Sequence, residues 1–204
     1  MSKLFKYSPA DGALYARTFA LFYNIPDNQR LFYYEAGKNC TNFISQCVWA
    51  SYGGWLPGFS DKAVDENRQR IVKDVRQVKG VWYGSENWIG SGRWCRVGEF
   101  YEFVTDKTKK VGPMATKIAE GTFNQVLPSQ IKKGDVIQLI VETYIPGTYG
   151  HGLYVTNEGE RWEDITICSN SDDRLDVPMS WFADYPEIYS KMRVLRFSDA
   201  YFSL

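Results

Sequence analysis

At 204 residues the chain is long enough to bury one real core and short for a second domain. Hydrophobic residues make up 44% and aromatics 16%, which excludes disorder as the default state. Lys plus Arg (24) balances Asp plus Glu (24), so no net field draws the chain to nucleic acid or to an acidic membrane surface.

The opening stretch MSKLFKYSPADGALYARTF holds no apolar run long enough for a secretory leader, and no later segment approaches a membrane span. The expectation is a cytoplasmic chain, or one released or exported by a non-classical route, with neither nucleic acid nor membrane as a partner. From Pro9 to Asn24, apolar residues at 13, 14, 16, 19, 21 and 22 predict a first helix, with Asp11 as its cap and Asn24-Ile25-Pro26 as its stop. The next stretch, GKNCTNFISQCV from Gly37, puts Cys40, Phe43, Ile44, Cys47, Val48 and Ser51 on one helical face. Asn39 can cap this second helix and Gly53-Gly54 with Pro57 can end it, leaving it half buried.

Residues 55 to 98 hold four tryptophans (Trp55, Trp82, Trp88 and Trp94) and a charged run from Asp61 to Lys79, where Val64, Ile71, Val75 and Val78 suit a weak amphipathic helix. So long a segment suggests an insertion or a groove wall within a single domain spanning 1–204. Val97 to Val104 predicts a further short helix. After about residue 130 the period changes: 135–141, 151–155, 164–168 and 192–197 are β-rich runs separated by turn residues such as Pro146-Gly147 and Asn157-Glu158-Gly159. Helices followed by antiparallel strands make an α+β layout.

Four cysteines, at 40, 47, 95 and 168, form no CxxC pair of the kind a zinc or redox site uses. Cys40 and Cys47 on one helix are about 10 Å apart at ~1.5 Å per residue, too far for a disulfide. Cys47, Cys95 and Cys168 read as small core residues. Cys40 differs, because a thiol in a helix's first turn faces unpaired N–H groups that favour the thiolate. The plain alternative is that it merely begins the buried face. A thiol nucleophile needs a base, and the chain has a single histidine, His151, between two glycines at the start of a predicted strand. If 151–155 and 164–168 are hairpin neighbours, Asn170 can reach His151; otherwise Asn170 is an ordinary turn residue. Cys, His, then a polar residue on the next strand is the chain order of a papain-like site.

The segment Asn39-Cys40-Thr41-Asn42-Phe43-Ile44-Ser45-Gln46-Cys47 resembles the D-C-T-N-F-[VA]-S-Q-C signature of the amidase type six family, a branch of the papain-like cysteine hydrolases related to bacterial cell-wall peptidases. Tyr15-Ala16, Trp94 with Val97, Phe100 and Tyr101, Gly134-Asp135-Val136, His151 with Val155-Thr156, and Asp173-Arg174 with Pro178-Met179 are similar to further blocks in the same order, over most of residues 7 to 180. The resemblance implies a papain-like α+β fold, N-terminal helices packed on a C-terminal antiparallel sheet. It also implies Cys40 as nucleophile, His151 as base and Asn170 as the orienting third residue. Asn39 stands where the family has Asp, and Asn170 where it more often has histidine.

The expected activity is hydrolysis of an amide in a peptide or peptidoglycan-like substrate through an acyl-thioester, with no metal or cofactor; acyl transfer would use the same residues. For oxyanion and substrate binding the candidates are Tyr33, Tyr34, Asn39, Trp82 and Trp88 beside the Cys40 N–H. The competing reading is a non-catalytic glycan- or peptide-binding module on the same fold, with Cys40 idle.

Overall fold

The computed structural model describes residues 1–73 and 76–204; Val75, one of the predicted helical positions, lies outside them. Helix α1 (Pro9–Phe19) begins with proline at its first turn and is capped by Ser8, whose hydroxyl accepts from the Asp11 N–H, so Asp11 is not the cap. The predicted stretch to Asn24 breaks at Phe19, and Phe22–Asn24 forms a separate 3-10 turn. Helix α2 (Cys40–Ser51) has the predicted bounds, but all twelve of its residues are buried rather than one face. Its polar side is covered as well, because α1, the α4 turn (Gly92–Cys95) and a sheet all pack on it.

Helix α3 (Asp61–Lys73) is amphipathic, burying Val64 and Ile71. Val78 lies beyond it and pairs with Trp82 in an isolated bridge. Helix α5 (Val97–Thr105) matches expectation.

Six antiparallel strands form the main sheet: β2 (Met114–Gly121), β3 (Val136–Val141), β4 (Tyr149–Asn157), β5 (Thr166–Ser169), β6 (Arg174–Pro178) and β7 (Tyr189–Ser198), in the order β2-β7-β3-β4-β5-β6. Four of these correspond to the predicted runs, whereas β2 and β6 do not. The short β1 (Ser2–Phe5) and β8 (Ala200–Ser203) pair the two ends of the chain. The α+β layout is therefore as expected.

Alternation sorts the strands into two faces. Val136, Tyr154, Cys168, Leu195 and Phe197 join α1, α2 and α5 in one core, while Ile137, Leu139, Leu153, Val155, Ile167 and Val194 pack on the other face with Phe182 of α6 (Ser180–Ala183).

Gly12 lets α1 approach α2 and β4. A Cβ there would lie 2.0 Å from both Ser51 Oγ and Tyr154 Oη, two atoms already hydrogen bonded to each other. In an exposed helix Gly→Ala would stabilise by about 1 kcal/mol. Here the wedge against a rigid, fully buried contact reverses the sign, and Gly12→Ala should destabilise by about 1–3 kcal/mol. A denaturant midpoint at or above wild type would disprove this close packing.

Candidate active site

Cys40 opens α2 with its sulfur against the edge of β4. Sγ lies 4.0 Å from the Gly150 carbonyl oxygen and 3.8 Å from Thr41 Oγ1, and the backbone N–H groups of Gly152, Thr41 and Cys40 itself are directed at it. Gly150 and Gly152 flank the sole histidine, so the fold brings the thiol to the backbone of His151. Two features permit this approach. β5 pairs β4 only from Tyr154 onward, which leaves the edge at 150–152 open. Gly152 has no side chain, and a Cβ there would meet Ile44 Cδ1 at 2.2 Å. At Gly150 the β3–β4 register skips, with Leu139 opposite His151 and Ile140 opposite Tyr149.

The electrostatics differ from the expectation of a depressed thiol pKa. Burial raises the Cys40 thiol above its ordinary value and outweighs the hydrogen bonds of Thr41 and the surrounding N–H groups, which act to lower it. His151 is pulled down to about 4, first by burial and then by the Arg174 cation, with Asp172 opposing. Thiol and imidazole are thus both uncharged at neutral pH, and no hydrogen bond joins them among the described residues. The Nε2 atom of His151 is buried and has no hydrogen-bond partner among the described residues.

The hairpin expected to carry Asn170 to His151 is present, with Tyr154 opposite Cys168, yet the Asn170 amide is engaged elsewhere. Its Oδ1 accepts from Asn39 Nδ2 at 3.0 Å, and its Nδ2 donates to the carbonyls of Ala20 at 2.6 Å and Ser169 at 3.4 Å. The physical reason is local: β5 ends at Ser169, and Ser171 adopts φ 85°, turning the chain beneath the start of α2. Ser171 Oγ also accepts from the Asn39 N–H at 2.6 Å. Asn170 therefore braces Asn39, the residue before Cys40.

Asn39 occupies the N-cap position but its side chain caps no helix N–H. Its Oδ1 accepts from the Glu35 N–H at 3.3 Å and from Asn42 Nδ2 at 2.8 Å, which leaves the first-turn N–H groups beside the sulfur uncapped. The other expected binding residues are dispersed. Trp82 is fully buried with its ring 4.5 Å from that of Trp94, so it is core and cannot touch a ligand. Trp88 is 63% exposed but lines a groove with Ile71, Gln77, Tyr83 and Leu204, whose lining does not include Cys40. Tyr34 stacks on Phe22 at 3.8 Å, and its hydroxyl, raised to about 12 by partial burial and then Asp173, remains protonated. Tyr33 contributes backbone, its carbonyl accepting from Asn42 Nδ2 at 2.7 Å.

The supporting residues that apolar periodicity missed are Asn42, Ser45 and Gln46. Asn42 Oδ1 accepts from the Trp94 indole at 2.7 Å and from Gln46 Nε2 at 3.1 Å; Gln46 Oε1 accepts from Tyr15 Oη at 2.8 Å; Ser45 donates to the Trp94 carbonyl at 2.8 Å. Fully satisfied and buried, this lattice fixes α2 against α1 and α4 and so fixes Cys40. A polar stripe at 39, 42 and 46 was the available signal.

All four cysteines are free, and Cys47 and Cys168 are fully buried. Among the described residues no cluster of His, Cys, Asp and Glu could hold a metal ion, and no helix is long and apolar enough to cross a membrane. A family model described as "putative amidase domain" matches residues 6–193. No curated protein and no solved structure matches the chain.

Proposed function

The chain belongs to the amidase family whose model spans residues 6–193, and from that membership we propose that it is a cysteine amidase or peptidase with a papain-like arrangement of helix-borne thiol and strand-borne imidazole. Family membership points to amide hydrolysis. The observation that supports the cysteine mechanism is the placement of Cys40 Sγ against Gly150 and Gly152, on either side of the chain's single histidine.

In this reading His151 takes the Cys40 proton as the sulfur attacks the substrate carbonyl, so that the pair ionises only as the bond forms. The uncapped N–H groups at the start of α2, Cys40 foremost, stabilise the negative oxygen. The imidazolium then gives its proton to the leaving amine, the C–N bond breaks and a thioester remains on Cys40. Water, deprotonated by His151, resolves it to acid and free thiol. Asn170 and Ser171 hold Asn39, and through it the start of the helix. A peptide, including one from a bacterial cell wall, is the substrate class.

Because burial raises the thiol, slow alkylation by iodoacetamide at neutral pH would not separate enzyme from binding module. Acyl-enzyme capture does. Incubation with a mixed peptide and muropeptide pool, quenched in acid and read by mass spectrometry, should leave an acyl group on Cys40 and a new amine in solution. Amide cleavage with Cys40 unmodified, and with Cys40→Ala as active as wild type, would overturn the mechanism.

A further inference from the structure

Arg193 lies on the helix-facing side of β7, in register with Gln138 of β3, which is in turn opposite Gly152 of β4. At ~4.8 Å per strand, its Cα is about 10 Å from the strand edge that holds the Cys40 sulfur. The side chain is 8% exposed. Its guanidinium lies between two rings, 3.6 Å from the centre of Tyr101 on α5 and 4.0 Å from that of Tyr149, two residues before His151. Nε donates to Gln138 Oε1 at 2.7 Å, and Gln138 is held by the Val97 carbonyl at 3.0 Å.

The two terminal nitrogens have no hydrogen bond or ion pair among the described residues, and neither is sealed from solvent. A cation this buried ordinarily has a carboxylate. The acids that influence it are Glu120 and Glu102. Glu120 is committed to Lys117, to Lys191 at 3.6 Å and to Tyr149 Oη at 2.8 Å. What remains is a planar fork, clamped by aromatic faces and anchored through Nε, with its bidentate edge free. That edge matches a carboxylate in shape and charge.

We propose that Arg193, between Tyr101 and Tyr149, is the subsite for a carboxylate of the substrate, making the preferred substrate an acidic peptide with that group about three extended residues from the cleaved amide. This rests on the amidase reading above and supplies the substrate chemistry that the reading leaves open.

The test is equilibrium binding to the Cys40→Ala protein of acetylated alanine hexapeptides that carry one Glu, scanned along the peptide, each against its Gln counterpart. One position should bind about tenfold or more tighter as Glu than as Gln, as expected for a charge-assisted bidentate contact. Arg193→Gln, checked for folding by circular dichroism, should bring that ratio close to one, and Arg193→Lys should restore only part of it. Equal binding within every Glu/Gln pair, undetectable binding included, overturns the proposal without needing any Arg193 variant; so does a preference that survives in folded Arg193→Gln. Acyl-enzyme formation without a Glu preference would sink the subsite and leave the amidase reading standing. A Glu preference without acylation would do the reverse.

Discussion

Cys40→Ala should abolish turnover while leaving the fold intact. The substitution removes one small side chain at the first turn of α2; the hydrogen bonds that hold this turn belong to Asn39, Asn42, Ser45 and Gln46 and stay in place. Chemically the loss is complete, because no other cysteine can substitute: the Cys95 thiol is held by the Ile89 carbonyl and raised to about 12, first by burial. Cys47 is two turns deep in the core and Cys168 is enclosed at the end of β5. A fall in kcat of about 10⁶-fold is the scale seen when a nucleophile is removed from a catalytic unit. Adding His151→Ala to Cys40→Ala should make matters scarcely worse, since members of such a unit act together. Hydrolysis of an activated amide by each purified variant, with circular dichroism as the folding control, checks both statements. A folded Cys40→Ala protein retaining a tenth of wild-type activity would end the mechanism.

His151→Ala should lower kcat/KM by about 10²–10⁴-fold, the range for loss of a general acid–base group. The pH dependence makes the prediction sharper. Because the imidazole pKa is pulled to about 4, the base stays neutral on acidification from pH 7 to 5, and wild-type rate should fall only as pH approaches 4. An ordinary histidine would lose its activity near 6.5. Stability responds in the same window: the folded pKa lies below the unfolded one, so the unfolded chain takes the proton first. The contribution is fully present above about 6.5 and is lost as pH falls to about 4, with an upper limit of about 3 kcal/mol because the residue as a whole is only partly buried. Unfolding midpoints measured across that window should slope in wild type and lose this component in His151→Ala. Identical slopes would mean that the ring is solvated rather than desolvated.

Cys40 and His151 were legible because local chemistry marks them. A cysteine at a helix start and a lone histidine between glycines are both readable without a fold, and so is the β4–β5 hairpin that follows from alternating Leu153, Val155, Ile165 and Ile167. Asn170 shows where that logic stops. Its place in the hairpin was inferred correctly, but the direction of its amide depends on Ser171 turning to positive φ and on Asn39 and Ala20 arriving from elsewhere in the chain. The thiol is a similar case. Position at a helix N-terminus argues for a low pKa, whereas enclosure by β4 raises it, and desolvation is a property of the assembled site.

By itself, then, the sequence determined the α+β layout, helix α2 with its thiol at the first turn, the four strands β3, β4, β5 and β7, and the order of thiol and imidazole along the chain. Apolar periodicity and turn residues act over a few positions and carry that information directly. Only the tertiary structure decided that β2, with Lys117 and Glu120 in an unpromising strand sequence, pairs with β7, and that β1 and β8 join the chain ends. It alone decided that Trp82 is core, that Asn170 serves Asn39, and that Arg193 is held between two tyrosines with its fork unpaired. Each of these depends on partners brought from distant parts of the chain, whose contacts and desolvation exist only once the sheet and helices have closed on one another.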